Sequence, residues 1–234
     1  MRTLIYVPVI HTSADLGSLA KDVTKRGIAD LGEDIWEKHL AAVEKFWDCL
    51  SDYFDSIDVS GMKIYQDGMV ADGEVGQKIV EEGAKSGSRN YELVSRLISR
   101  GAILMRTERF NLLREERDRL LTMTRAKSIT QKLLAYLAYK LLKNRILNKR
   151  DEFIAQRIDE TLNEGEKGIL FIGAYHNVKK YLPSGIPIKE IKDVCKVREY
   201  QRLFPYCHRH EKRLEELTRY LISKVNEDAI YGTP

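Results

Sequence analysis

The chain has 234 residues, 43% of them hydrophobic, and its 39 Lys+Arg against 35 Asp+Glu leave a formal charge of +4, too small to imply a nucleic-acid partner. With 15 glycines and 5 prolines it is neither collagenous nor a proline-rich disordered chain, and its length suffices to bury a sizeable core. Cys49, Cys195 and Cys207 are widely spaced and form no C-x-x-C pair, which argues against a disulfide scaffold and fits a reducing, cytoplasmic setting.

Leu4–Ile10 is a continuous apolar run, as expected for a strand buried on both faces, and it stops at His11-Thr12-Ser13. The run is too short for a signal peptide, and nowhere is there an apolar stretch of the roughly 18 residues that a transmembrane helix needs. Thr12 or Ser13 caps a helix marked by Leu16, Leu19, Ala20 and Val23 and closed by Gly27. A second helix is predicted over 34–53, with Ile35, Leu40, Val43, Phe46, Trp47 and Leu50 on its buried side. A strand over 57–65 runs into a turn at Gln66-Asp67-Gly68.

Helices are expected at 74–86 and 90–100, then a strand over 102–105, then a charge-rich helical stretch to Met123. From Arg125 to Arg150 eight Lys/Arg and no acid are interleaved with leucines and isoleucines at helical spacing, a basic amphipathic helix. Such a helix can touch anionic lipid or dimerise, but packing its Leu stripe on its own domain is the favoured reading. A helix over 151–163 precedes a buried strand over 168–173, which leads straight into Ala174-Tyr175-His176-Asn177. Pro183, Gly185 and Pro187 punctuate a loop before an alternating stretch over 186–197, and a helix covers 209–226. Strands alternating with helices predict an α/β fold, with α+β as the alternative. Its central mixed, largely parallel sheet is flanked by helices, and a helical insertion over 109–150 divides the halves of one domain spanning 1–234.

In an open α/β sheet reactive groups gather beyond the carboxyl ends of the strands, where His11 and His176 both fall. If their strands are parallel and close, the imidazoles converge and suit a divalent metal such as zinc, manganese, iron or cobalt, with a bound water activated as nucleophile. The completing carboxylate is either Asp67, after the second strand, or Glu108, after the third. Against this, a strand-end histidine often only caps a turn. Other chemistry is poorly supported: no G-x-S-x-G, no P-loop and no G-x-G-x-x-G occurs, and Cys49 lies within a predicted helix. Cys207-His208-Arg209-His210 reads as a surface helix start.

The segment Arg150-Asp151-Glu152-Phe153-Ile154-Ala155-Gln156-Arg157-Ile158, with Gly168-Ile169-Leu170-Phe171-Ile172-Gly173-Ala174-Tyr175-His176 after it, resembles the second half of the TraB/PrgY/GumN and Tiki group. That group is distantly similar to erythromycin esterases and ChaN-like haem-binding proteins. Gly173-Ala174-Tyr175-His176 matches the group's second G-x-x-H motif. Pro8-Val9-Ile10-His11 keeps the His of the first but has Pro for Gly, which removes a backbone N–H. The group's acidic residue finds Tyr65-Gln66-Asp67 in its place. The resemblance implies a metal-dependent hydrolase, peptidase or esterase-like, acting on a peptide or small molecule. His11 and His176 would be ligands or acid/base groups with manganese, cobalt or zinc, and Asp67 or Glu108 would supply the carboxylate. Arg150 would hold a substrate carboxylate or phosphate, and Tyr175 and Asn177 would flank it. From the residues alone, Lys149-Arg150-Asp151 equally well ends one solvated helix and begins another. The alternative function is a non-catalytic module that sequesters a peptide or small signal in the same cleft.

Overall fold

A computed structural model describes residues 1–12, 14–15, 20–112, 114, 129–225 and 231–232. Strands β1 (Thr3–Val9), β2 (Lys63–Gln66), β3 (Ile103–Met105), β4 (Lys167–Gly173), β5 (Ile188–Glu190) and β6 (Tyr231–Gly232) form one sheet in the order β3-β2-β4-β1-β5-β6. All neighbours are parallel except β5 and β6, so the expected α/β fold with a largely parallel sheet is what the chain adopts. The two long strands, β1 and β4, lie side by side at its centre, in register from Thr3↔Lys167 to Val9↔Gly173.

Helices α1 (Ala20–Leu31) and α2 (Glu33–Asp55) connect β1 to β2, and α3 (Gly73–Lys85) and α4 (Arg89–Ser99) connect β2 to β3. Helix α5 (Ile129–Thr161) leads into β4, while α6 (Val194–Leu203) and α7 (Glu211–Leu221) follow β5. The core joins both faces of the sheet: Phe46, Leu50 and Phe54 of α2, Leu93 and Leu97 of α4, Ile154 and Ile158 of α5, and Val197 of α6 are all buried. Burying side chains of this size contributes about 1.5–3 kcal/mol each.

Several boundaries differ from expectation. The helix thought to close at Gly27 continues to Leu31, and the Trp36 ring packs against Gly27 so tightly that no Cβ would fit. Only Lys63–Gln66 of the 57–65 stretch is a strand. The 186–197 stretch is strand only over Ile188–Glu190, because Asp193 caps α6 by accepting the N–H groups of Cys195 and Lys196. There is also no break between the helices expected at 125–150 and 151–163. Arg150 and Asp151 sit inside α5, and both are buried, so they do not end and begin two solvated helices. The Ser13 cap, Leu16, Leu19 and residues 115–128 of the expected insertion lie outside the described residues. Among the described residues no helix is long and apolar enough to cross a membrane.

Candidate active site at the carboxyl rim of the sheet

The register of the three inner strands decides what meets at their carboxyl ends. Val9 pairs with Gly173, so His11 and His176 emerge two and three residues beyond partnered positions. Gln66 pairs with Phe171, and the next N–H, that of Asp67, donates to Phe171 O at 2.9 Å. Each strand end is then tied down. Trp47 of α2 donates its Nε1 to Ile10 O at 3.1 Å, fixing the residue before His11. Arg198 of α6 donates Nε to Ala174 O at 2.6 Å and Nη2 to His176 O at 3.4 Å. Gly68, with φ 80°, turns the chain after Asp67, and the following Met69 O accepts the N–H groups of Thr107 and Glu108, each at 2.9 Å.

Gly173 is the focus of the arrangement. A Cβ built on it would lie 3.5 Å from Asp67 Oδ2, 3.5 Å from His176 Cδ2 and 3.7 Å from His11 Nε2. Three side chains from three different strand ends therefore converge on the space that the missing methyl leaves open. His176 is buried, whereas the His11 side chain is 45% exposed at the edge of that space.

Asp151 holds the His176 ring in place. Its Oδ1 is 2.5 Å from His176 Nδ1, and its Oδ2 accepts the Asn177 N–H at 2.8 Å. With a carboxylate on Nδ1, that nitrogen carries the proton and Nε2 is left for the cleft, where Asp67 Oδ2 stands 3.4 Å away. On the other side, Arg150 donates Nη2 to Asp67 Oδ1 at 2.7 Å, and its Nε and Nη2 to Glu108 Oε1 at 2.8 and 2.6 Å. The polar centre is thus a buried row running Asp151, His176, Asp67, Arg150, Glu108.

The row perturbs its members in opposite directions. Burial disfavours the charged His176 ring, but the Asp67 charge and the Asp151 hydrogen bond outweigh it and raise the imidazole above its ordinary pKa of 6.5. Burial also pushes Asp67 up, and here His176, Arg150 and His11 together prevail and hold it below the usual carboxylate value. For Glu108 burial wins over Arg150, so its carboxyl is raised, and among the described residues its buried Oε2 has no hydrogen-bond partner.

The residues expected at the site fall into three places. His11, His176 and Asp67 meet around Gly173. Glu108 is buried beyond Arg150, and Arg150 itself is turned onto Asp67 and Glu108. Tyr175 and Asn177 flank His176 on the exposed side of the turn; the Asn177 contribution seen here is its backbone N–H on Asp151. Asp151, the partner of His176, was not anticipated as a site residue, and neither were Trp47 and Arg198, which fix the two strand ends. The one available signal was Asp151 itself, an acid next to Arg150 in the segment that carried the family resemblance.

His11 Nε2, His176 Nε2 and Asp67 Oδ2 are chemically suitable metal donors, and a carboxylate behind a ligating histidine is usual in metal sites. The guanidinium of Arg150 already supplies positive charge to Asp67 at 2.7 Å. Among the described residues no group of three or more His, Cys, Asp or Glu could hold a metal. What the row can do without an ion is move a proton at His176 Nε2. No family model, curated protein or solved structure matches the chain.

Proposed function

We propose that the chain is a hydrolase, esterase- or peptidase-like, in which His176 is the acid/base group that activates water at the Gly173 opening. The observation that carries this reading is the Asp151–His176 pair at 2.5 Å, with Nε2 turned to Asp67 Oδ2 at 3.4 Å beside Gly173, which His11 also borders. A buried carboxylate on Nδ1 fixes the tautomer and orientation of an imidazole and stabilises the imidazolium formed when it takes a proton, which suits general base catalysis. In the proposed step Nε2 takes a proton from water as the water oxygen bonds to the substrate carbonyl carbon. The carbon–leaving-group bond then breaks and the same proton passes to the leaving group. Asp67, kept ionised by Arg150, stabilises the transient imidazolium, and His11 stands at the solvent edge as a second imidazole. The resemblance of Gly173-Ala174-Tyr175-His176 to the G-x-x-H motif supports the same assignment.

A second reading places manganese, cobalt or zinc between His11, His176 and Asp67, and is favoured by the convergence of those three donors on one point. The non-catalytic alternative uses the same cleft to sequester its ligand. Chelator-treated protein assayed against a panel of activated esters and short peptides, beside His176→Gln and Asp151→Asn, separates the three. The proposal expects turnover that survives the chelator and is lost in both variants. Turnover restored only by added metal supports the second reading. No difference between wild type and His176→Gln on any substrate overturns catalysis altogether.

A further inference from the structure

The reactive imidazole opens on a second side into a cavity of about 390 Å³, within the size range of small-molecule sites. Tyr6, His176, Lys179, Glu190, Asp193 and Arg198 are among its walls. Its ionised groups are mostly satisfied by one another. Glu190 binds Lys179 through Oε1 and accepts the Val194 N–H through Oε2. Asp193 caps α6. The ammonium of buried Lys192, a further wall residue, turns onto Tyr220 O and Ser223 O.

Arg198, like Lys192, has no acidic partner among the described residues, but it is the less buried of the two. Its guanidinium is half-buried, and both of its hydrogen bonds go to neutral main-chain carbonyls, Ala174 O and His176 O. Among the described residues no carboxylate lies within ion-pairing distance of it, and its Nη1 carries no hydrogen bond there. A cation held rigidly at a low-dielectric wall without a counter-ion is a strong site for an oxyanion, because a planar guanidinium presents paired donors to carboxylate or phosphate and the surroundings screen the attraction poorly. Tyr6 adds a neutral donor: burial, with Asp151 and Glu190 nearby, keeps its hydroxyl protonated.

We infer that the substrate is anionic, and that Arg198 receives its carboxylate or phosphate group in the cavity beside His176. The role expected of Arg150 thereby passes to Arg198, since Arg150 is buried on Asp67 and Glu108. Because Arg198 is bonded to the carbonyl of His176, a group seated on it is registered against the reactive ring, which is what a substrate-positioning residue must achieve.

The inference rests on the assignment of His176 as the reactive imidazole, and its test is independent of turnover. Acetate and inorganic phosphate are titrated separately into wild type, Arg198→Gln, Arg198→Lys and His176→Gln, following binding by calorimetry and by NMR of the tyrosine and backbone signals around the cavity, with melting temperature as the check on folding. Wild type and His176→Gln are expected to bind one or both anions, with the stronger of the two identifying the headgroup. Arg198→Gln should weaken that binding on the order of tenfold or more, and Arg198→Lys should recover part of it. Binding unchanged in a folded Arg198→Gln protein, or no response of the cavity signals in wild type, overturns the inference. Loss of turnover in His176→Gln has no bearing on that result.

Discussion

Val9 and Gly173 are register partners on adjacent parallel strands, and that pairing carries two histidines 165 positions apart to a common edge. Because both strands end at the pair, the chain that follows each of them enters the same crevice. Gly173 then leaves room for His11, His176 and Asp67 to face one another.

Asp151→Asn should leave the fold intact while disabling the imidazole. Asparagine keeps the shape of the side chain but loses the charge that favours protonation of His176 and the fixed acceptor that sets its tautomer. A fall in kcat/KM on the order of 10²- to 10⁴-fold is expected, with a much smaller change in Tm. Loss of folding with no separate loss of activity in the folded fraction would assign Asp151 a purely structural role.

The raised pKa of His176 has consequences for both activity and stability. As a base the ring works only when neutral, so the acidic limb of kcat/KM against pH should lie above 6.5, and Asp67→Asn should move it down. The sign for stability is opposite. A group bound more tightly to its proton in the folded state stabilises fully below its unfolded value of 6.5, and that stabilisation fades as pH rises through the higher folded value. Urea unfolding of wild type and His176→Gln across this window should show the difference between them change in wild type's disfavour toward alkaline pH. A difference constant with pH would mean that the ring has the same pKa in the folded and unfolded protein.

Arg150→Ala leaves the Asp67 and Glu108 carboxyls buried without their shared cation. Removing one partner from a buried ionic network costs about 3–5 kcal/mol, well above the effect of a surface arginine. Adding Glu108→Gln to Arg150→Ala should recover part of the loss, since one buried acid is then gone. Independent, additive effects in a double-mutant cycle would show that the two side chains are not coupled.

Much of the fold was legible because parallel strands buried on both faces read as unbroken apolar runs: Leu4–Ile10 and 168–173 stand out from amphipathic neighbours, and a histidine follows each. Their adjacency was not legible. Nothing local distinguishes β4 inserted between β2 and β1 from β4 added at an edge, and the convergence depends on that order. Asp151 was harder still. An acid after a basic run looks like the start of a new helix, and only the packing of α5 against the turn at Val178–Tyr181 shows that it faces inward onto His176. Arg198 lies just past the alternating 186–197 stretch, and its contacts with two carbonyls are purely tertiary.

The central claim, that His11 and His176 border one reactive space over Gly173, is tested most directly by Gly173→Ala. The added methyl stands at ordinary van der Waals distance from all three neighbours, 3.5 to 3.7 Å, so the fold should tolerate it with little change in Tm. It stands directly against His176 Cδ2, Asp67 Oδ2 and His11 Nε2. Imidazole NMR should therefore show the signals of both histidines displaced by this one methyl, together with loss of turnover. If the signals of either histidine are unchanged, or turnover persists, the two rings do not share the site described here.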